Sequence, residues 1–210
     1  MGEERGNPVR GRFNAAVLRV LDGYAHRVLG GHKAPLFAGL PDRVVEIGPG
    51  TGANLRYYRP GTRLVAVEPN PYMHAPLRAA ARRRGITVEL LPSGAERIDL
   101  PDASVDVVVS TLVLCTVPDP VAVIGEVARI LRPGGRLVLL EHVRATTAGY
   151  TLLQRLTAGP WRWLFEGCEL CRDTEGALRG AGFAAVRVER YHARTVLFPI
   201  NPQIAGEAVR

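Results

Sequence analysis

Val44-Val45-Glu46-Ile47-Gly48-Pro49-Gly50-Thr51-Gly52, or VVEIGPGTG, joins a short apolar run to a loop with glycine at alternate positions. The β-branched run indicates a buried parallel strand that ends in a tight turn. Gly48 and Gly50 allow a positive φ and leave no Cβ between the backbone and a ligand. Because helix propensity resumes over residues 53–58, we expect the loop to present free N–H groups at a helix N-terminus. The first hypothesis is therefore a site for a small polar or anionic ligand.

Outside this loop, apolar β-branched runs alternate with helical signals along the chain. Such alternation is typical of a doubly wound α/β fold. We predict a Rossmann-like, mostly parallel seven-stranded sheet with an antiparallel last strand and an N-terminal helical cap. The predicted strands cover residues 44–47, 62–67, 87–91, 105–110, 136–141, 183–190 and 203–209. The predicted helices cover residues 13–30, 33–39, a stretch from about 75 onward, 120–131 and 174–181, with a turn at 132–135. Asn70 can cap the third of these helices, with Pro71 at its first position, but we expect Pro76 to interrupt it, so that its regular part begins near Ala75.

The chain divides into a predicted cap, residues 1–41, and a ligand-binding domain, residues 42–210. Apolar residues recur at helical spacing from Phe13 to Val28, as in an amphipathic helix that covers the core, closes a site or lies on a membrane. Within the second domain, residues 144–172 form an insertion rich in Leu, Trp and Phe. We interpret this insertion as a helix that covers the substrate, and residues 191–199 as a connection over the pocket.

Composition excludes several classes of protein. The chain has 210 residues, enough for one domain with a sizeable core. It has no run of 18 apolar residues, and its first residues lack an apolar signal core, so we expect a cytoplasmic protein without a transmembrane segment. The net charge is +7, but 26 of the 27 basic residues are arginines dispersed along the chain. We therefore expect a small-molecule substrate and no nucleic acid, in a monomer or a homodimer.

Three cysteines, Cys115, Cys168 and Cys171, form an odd set that suggests reduced thiols. Cys168-x-x-Cys171 is the only pair with metal-like spacing. A structural zinc site needs four ligands, and the sequence offers neither a second pair nor a nearby histidine. We interpret the two residues as ordinary thiols, with a redox pair as the alternative.

Polar or glycine-containing segments follow five of the predicted strands. In a doubly wound sheet, ligands bind at the carboxyl ends of the strands, beside the point where the strand order reverses. Because all five segments occupy such ends, we expect a single site. These segments are residues 46–52, Glu68, 94–96, 110–112 and 141–142.

The glycine loop also satisfies the dinucleotide pattern G-x-G-x-x-G/A, with Glu68 twenty residues after Gly48. A nicotinamide-dependent oxidoreductase is therefore an alternative. Glu46 would repel a pyrophosphate but suits the ammonium group of an amino acid. Residues 94–96 offer backbone groups and an acid for an adenine, and Glu68 can hold ribose hydroxyls. This set favours S-adenosylmethionine (SAM) over a nicotinamide cofactor.

Four motifs between residues 44 and 143 together resemble the class I SAM-dependent methyltransferases: VVEIGPGTG, VEPN, SGAERIDLPDASVDVVVSTLVLCTV and ILRPGGRLVLLEHV. The resemblance implies that the chain binds SAM and releases S-adenosylhomocysteine (SAH). One position departs from the family, which often has Asp where Gly94 stands. The implied cofactor-binding residues are Glu46, Gly48, Pro49, Gly50, Thr51, Gly52 and Asn54; Glu68, Pro69 and Asn70; Gly94, Ala95 and Glu96; Thr111 and Leu112; and Tyr24, which could cover the cofactor.

Further segments, STLVLCTV, LEHVRA, WRWLFEGCELCRDTEGALRGAGF and PQIAGEAV, are similar to the methyltransferase-like proteins that S-methylate small alkyl thiols. Animal members carry an N-terminal membrane anchor that this sequence does not contain. The resemblance implies methylation of a small, rather apolar nucleophile, with a thiol favoured. Transfer to O, N or C of a secondary metabolite, quinone or phospholipid amine stays open.

His142 is the predicted general base because it ends the fifth strand at the edge of the site. A thiol with a pKa of about 8.5 needs only a mild base near neutral pH. A histidine held by structural hydrogen bonds is an equal alternative for the same position. His26 and His192 are weaker candidates for the base.

Overall fold

In the computed structural model, residues 8–193 and 201–210 are described, with side chains from residue 11 onward. The strands are β1 (Arg43–Ile47), β2 (Arg63–Val67), β3 (Thr87–Leu91), β4 (Val105–Thr111), β5 (Leu131–His142), β6 (Ala185–Ala193) and β7 (Asn201–Val209). The α-helices are α1 (Pro8–Phe37), α2 (Pro71–Arg83), α3 (Pro120–Ile130), α4 (Ala148–Leu164) and α5 (Thr174–Gly180), and a 3₁₀ helix covers Ala53–Tyr57.

The strands form one sheet in the order β3-β2-β1-β4-β5-β7-β6. Neighbours from β3 to β5 pair in parallel, and β7 is antiparallel to both β5 and β6. The predicted fold class is confirmed, including the antiparallel last strand. Since β2 and β4 flank β1 on opposite sides, the strand order reverses at β1, and a crevice opens at the carboxyl ends of β1 and β4.

Alternating residues of the central strands pack on opposite faces of the sheet. Ile47 and Val67 belong to one buried cluster, which α3 covers. Val44 and Leu64 belong to the other cluster, which includes Leu77 of α2. Helices therefore bury both faces, and the strand ends are left as the place for a site.

Helix α1 is continuous, so the prediction of two helices separated at Gly30 and Gly31 was wrong. Glycine costs a helix about 1 kcal/mol relative to alanine, which packing can offset. Leu29, Lys33 and Phe37 are buried at helical spacing on either side of the glycines. Packing of this face holds the helix together through both glycines.

Helix α2 begins as predicted, with the Asn70 side chain accepting a hydrogen bond from the Tyr72 N–H and Pro71 at the first position. Pro76 lies inside the helix and does not interrupt it, contrary to prediction. The proline removes one intrahelical hydrogen bond, but burial of Met73 and Leu77 on one face retains the helical path.

Strand β5 begins at Leu131, although we predicted a turn over residues 132–135. The Gly134 N–H donates to the Arg210 carbonyl, and the Arg210 N–H donates to the Gly135 carbonyl, both at 2.9 Å. These bonds to the last residue extend the strand. Residues 191–193 belong to β6, and the rest of the predicted connection over the pocket lies outside the described residues.

Among the described residues, no helix is both long enough and apolar enough to cross a membrane. The cytoplasmic location and the monomer or homodimer stay predictions.

Candidate active site

The glycine loop adopts backbone angles that favour glycine. Gly48, Gly50 and Gly52 have φ of 58°, 57° and 94°. A Cβ on Gly48 would lie 2.6 Å from Cγ2 of Val113, whereas the one atom of the described residues within 4 Å of a Cβ on Gly50 is Leu18 Cδ1, at 3.8 Å. Gly48 therefore allows close packing, and Gly50 leaves space above the loop.

The loop leads into a 3₁₀ helix of five residues, where we predicted an ordinary helix N-terminus. The backbone bonds here are short-range: Gly52 N–H to the Pro49 carbonyl, and Leu55 N–H to the Gly52 carbonyl. So short a helix has little macrodipole, which weakens the first hypothesis of an anion site.

Glu46 lies behind the loop, not on its ligand side. One carboxylate oxygen accepts a bond of 2.7 Å from Asn54 Nδ2, and the other accepts one of 2.9 Å from the Tyr58 hydroxyl. Asn54 also donates to Thr111 Oγ1 at 2.7 Å and accepts from Lys33 Nζ at 2.8 Å. The Glu46 carboxylate therefore fixes Asn54, and the expected contact of Glu46 with a ligand ammonium stays a prediction.

Burial shifts the pKa values of Lys33 and Glu46 in opposite directions. Desolvation lowers the pKa of Lys33 to about 8, and nearby Glu46 opposes that change. Desolvation also raises the pKa of Glu46, opposed by its bonds to Asn54 and Tyr58. Lys33 lines the cavity but is not among the predicted site residues. The available signal was that Lys33 is the only lysine in the chain.

Glu68, at the carboxyl end of β2, connects two segments of the site. One carboxylate oxygen accepts the Gly50 N–H at 3.0 Å, and the other accepts the Asn70 N–H at 2.9 Å. Burial raises the pKa of Glu68 to about 7, and the negative charge of Glu166 adds to the shift. A buried acceptor thus lies on the cavity wall with a pKa near neutral pH.

A cavity of about 500 Å³ lies over the carboxyl ends of β1, β2 and β4. Its volume is typical of small-molecule sites. Of the predicted cofactor residues, all except Glu46 and Gly52 line it, and so does His142. The structure therefore brings together the five strand-end segments predicted to form one site.

Helix α1 covers one side of this cavity. Asn14, Leu18, Ala25 and Leu29 recur at helical spacing and face it. Asn14 is 4% exposed, and its Oδ1 has no hydrogen-bond partner among the described residues. A buried acceptor of this kind is costly unless a ligand donates to it. Three roles were predicted for this helix. Its position beside the core and the cavity agrees with two of them, covering the core and closing a site.

Several contacts connect the first half of α1 to its surroundings. The Gly11 carbonyl accepts a hydrogen bond of 3.4 Å from Asn70 Nδ2, and the Arg12 guanidinium lies 5.2 Å from the centroid of the Tyr72 ring. The Phe13 and Trp163 rings lie 5.6 Å apart between centroids, which joins α1 to α4. Asp22 forms an ion pair with Arg56 of the 3₁₀ helix. Helix α4, in the predicted insertion, contributes Trp161 and Leu164 to the cavity wall.

His142 ends β5 beside two thiols. Its Nδ1 lies 3.5 Å from Cys115 Sγ and 3.3 Å from Cys168 Sγ, and the two sulfurs are 3.4 Å apart. Burial raises the pKa of the Cys115 thiol well above its ordinary value. His142 and Cys168 line the cavity, and the Trp161 ring meets the imidazole edge-on at 6.0 Å between centroids.

Cys168 and Cys171 lie in different surroundings. Cys168 contacts Cys115 and a histidine, whereas Cys171 is half-buried with Sγ 4.0 Å from Gln154 Oε1. The prediction that no histidine lies close to these thiols was wrong. Spacing along the chain missed the cluster because 53 residues separate Cys115 from Cys168.

The two weaker histidine candidates do not line the cavity. His26 Nδ1 lies 2.7 Å from the Tyr57 hydroxyl on the exposed side of α1. His192 lies in β6, in register with Pro202 of β7. Tyr24 lines the cavity from α1, as predicted.

Comparison with known proteins identifies the family. Residues 45–139 match the methyltransferase domain family. Over 171 residues the chain is 37% identical to human thiol S-methyltransferase TMT1B. This match covers 80% of this chain and 70% of that protein. The chain is a SAM-dependent methyltransferase.

A second human relative, thiol S-methyltransferase TMT1A, is 36% identical to this methyltransferase over 171 residues, with the same shares of both chains covered. A solved SAM-dependent methyltransferase from Mesorhizobium loti superposes with a TM-score of 0.58 at 25% identity. The match covers 87% of this chain and all of that one. The nicotinamide-dependent alternative is thereby set aside, and SAM is the cofactor.

The cavity of this methyltransferase suits SAM chemically. The Glu68 carboxylate can accept hydroxyl donors, and the Asn14 oxygen, which has no partner in the part of the chain that the structure describes, can accept one more. Gly50 leaves room for a ligand against the backbone. SAM, when bound, supplies an electrophilic methyl group, and the protein supplies binding and orientation.

Proposed function

We propose that this methyltransferase transfers a methyl group from SAM to the sulfur of a small, apolar thiol. The observation that carries the proposal is the part of the cavity wall where His142 and Cys168 lie beside the aromatic rings of Trp161 and Phe165. Apolar aromatic walls suit a small hydrophobic acceptor. The two human relatives named as thiol S-methyltransferases support the same acceptor atom.

The proposed cofactor site follows the cavity wall. Glu68, with Pro69 and Asn70, holds the ribose hydroxyls, and residues 94–96 hold the adenine. Residues 48–52, Asn54, Thr111 and Leu112 hold the methionine part, and Tyr24 covers it. Glu46 acts indirectly, since it fixes Asn54 through a bond of 2.7 Å.

The proposed division of labour follows the predicted domains. The cap, residues 1–41, covers the cavity with α1, and the domain of residues 42–210 binds the cofactor. The insertion, residues 144–172, supplies α4 and an apolar wall for the acceptor. These walls exclude water and orient the acceptor sulfur, and orientation can contribute up to about 7–11 kcal/mol to lowering a barrier.

The acceptor thiol must lose its proton before it attacks a methyl group. Among the described residues that line the cavity, His142 supplies the one imidazole. We propose that the His142 and cysteine cluster receives the acceptor sulfur. The predicted role of His142 as general base is one way for this cluster to act.

The affinity for the cofactor is expected to rise with pH through the pKa of Glu68, about 7. Only the ionised carboxylate accepts both ribose hydroxyl hydrogens, so protonation on the acid side removes an acceptor. The affinity for SAH should fall about tenfold from about pH 8 to about pH 6, as expected for one titrating group. Calorimetry over this range measures the effect, and Glu68→Gln should flatten it. An equally steep profile in the Gln variant would contradict the assignment.

A matched set of acceptors tests the acceptor atom. An alkyl thiol, the alcohol and the amine of the same chain length, and a phospholipid amine are compared by SAH formation. Since a thiol with a pKa near 8.5 is partly ionised near neutral pH and an alcohol is not, kcat/KM should favour the thiol by about 100-fold or more. Faster turnover of the amine or the alcohol would replace S-methylation by N- or O-methylation.

A further inference from the structure

We propose that Cys115, Cys168 and Nδ1 of His142 bind a zinc ion whose fourth coordination position faces the cavity and takes the acceptor thiolate. This inference rests on the proposed thiol substrate. It makes His142 a metal ligand in place of a general base.

The three ligand atoms lie close to the spacing of a tetrahedral zinc site, with the two sulfurs slightly nearer to each other than the ideal geometry places them. Zinc bonds sulfur at about 2.3 Å and nitrogen at about 2.0–2.1 Å, so tetrahedral angles place sulfurs about 3.8 Å apart and sulfur about 3.5 Å from nitrogen. The observed sulfur–sulfur distance is 3.4 Å, and the two sulfur–nitrogen distances are 3.5 and 3.3 Å. A single nitrogen faces both sulfurs, as one shared ion requires.

The site lacks a fourth protein ligand among the described residues, since the group of possible ligand atoms within 4.8 Å of one another has three members. Catalytic zinc sites keep three protein ligands and an open position, whereas structural sites are closed by four. Cys115 is fully buried behind the other two ligands, and both His142 and Cys168 line the cavity. The open position therefore faces the proposed acceptor pocket.

Charge and surroundings favour a divalent, thiophilic ion. Two thiolates neutralise Zn²⁺, which allows the complex to lie among Leu170, Trp161 and Phe165 without a net charge. Monovalent copper with the same ligands would leave a buried negative charge. Thiolate and imidazole ligands in a tetrahedral arrangement select zinc over magnesium or calcium.

A zinc ion would favour deprotonation of the acceptor thiol, which the proposed reaction requires. The acceptor thiol loses its proton to solvent when its sulfur binds the ion, because the metal favours the thiolate. A lone pair of this sulfur forms the new bond to the methyl carbon. The bond from that carbon to the sulfonium sulfur breaks, and its electron pair stays on the sulfur of SAH. The product is a neutral thioether, a weaker ligand that leaves the zinc.

Metal content and cobalt spectroscopy test the site without using turnover. The full chain, reconstituted with zinc and desalted, should retain about one zinc per chain. Cys115→Ser and Cys168→Ser should each retain less than about a tenth of that amount. Cys171→Ser is the matched control, since Cys171 lies outside the cluster, and it should bind like the wild type. Substitution with Co²⁺ should produce a sulfur-to-cobalt charge-transfer band, which an alkyl thiol shifts in the absence of SAM.

Thermal unfolding of each variant separates loss of the metal from loss of the fold. If Cys115→Ser does not fold, the zinc content of the wild type and of Cys168→Ser tests the inference without it. No retained zinc in the wild type, tight binding of copper instead, or a mass lower by two hydrogens from a Cys115–Cys168 disulfide would overturn the inference.

The outcomes also separate this inference from the proposed function. Thiol turnover that survives complete removal of zinc would overturn the inference and leave thiol methylation standing. Bound zinc with no turnover of any thiol would overturn thiol methylation and the acceptor role of the zinc, although the metal site itself would remain.

Discussion

Replacing Glu68 with alanine is expected to weaken SAH binding by roughly 10²–10⁴-fold. The proposed site has two ribose hydroxyls donating to this carboxylate, and hydrogen bonds to a charged group contribute about 1.5–3 kcal/mol each. The variant also frees the Gly50 and Asn70 N–H groups, which Glu68 holds at 3.0 and 2.9 Å. The loss of order in the loop adds to the loss of ligand contacts.

Calorimetric titration with SAH measures this effect, and two further variants define its cause. Glu68→Gln preserves shape and removes charge, so its affinity should lie between those of the wild type and Glu68→Ala. Glu89→Gln changes an exposed acid on β3, away from the cavity, and should bind like the wild type. If Glu68→Ala binds SAH within about threefold of the wild type, the ribose assignment fails, since even one lost bond of this kind is larger.

Alanine substitutions at three glycines with similar positive φ distinguish the effects of backbone strain, of core packing and of lost space for a ligand. Gly39→Ala, at φ 75° with no atom within 4 Å of the new Cβ, should cost about 1–2 kcal/mol of unfolding free energy. Gly48→Ala places its Cβ 2.6 Å from Val113, so overpacking should add about 1–3 kcal/mol. Gly50→Ala, at φ 57°, should resemble Gly39→Ala in stability.

The same variants should rank differently in their affinity for SAH than in their stability. The new methyl group of Gly50→Ala occupies space between the loop and Leu18, where the proposed cofactor lies. We expect SAH affinity to fall about 100-fold, or about 2.7 kcal/mol, while Gly39→Ala binds normally. Urea unfolding and SAH titration on the same preparations measure both quantities. Equal SAH affinity in the Gly39 and Gly50 variants would exclude a cofactor over the loop.

The sheet was predictable because its signals are local. The β-branched runs that form β1, β2 and β4 predict buried strands at nearly their observed bounds. The continuity of α1 and the early start of β5 depend on distant partners. Packing holds α1 through its glycines, and pairing with Arg210 extends β5. Neither partner can be identified from the local pattern.

The site was predictable to the extent that fold topology places it. Parallel strands bring their carboxyl ends to one edge, so Glu68, Thr111 and His142 could be placed together from the sequence. The direction of a side chain within that edge is set by tertiary contacts. Glu46 therefore binds Asn54 behind the loop, and Cys168 contacts Cys115 instead of its sequence neighbour Cys171.

Helix α1 is attached unequally along its length, and this inequality defines a route for ligand exchange. Leu29, Lys33 and Phe37 are buried in its second half, whereas Asn14 is the one buried side chain among residues 11–22. The aromatic contact of that first half joins Phe13, which is 41% exposed, to Trp163, which is 64% exposed. Segments with few buried contacts open at a small fraction of the global unfolding free energy. The first half of α1 should thus swing outward about the Lys33 end, so that cofactor and product exchange without disturbing the sheet.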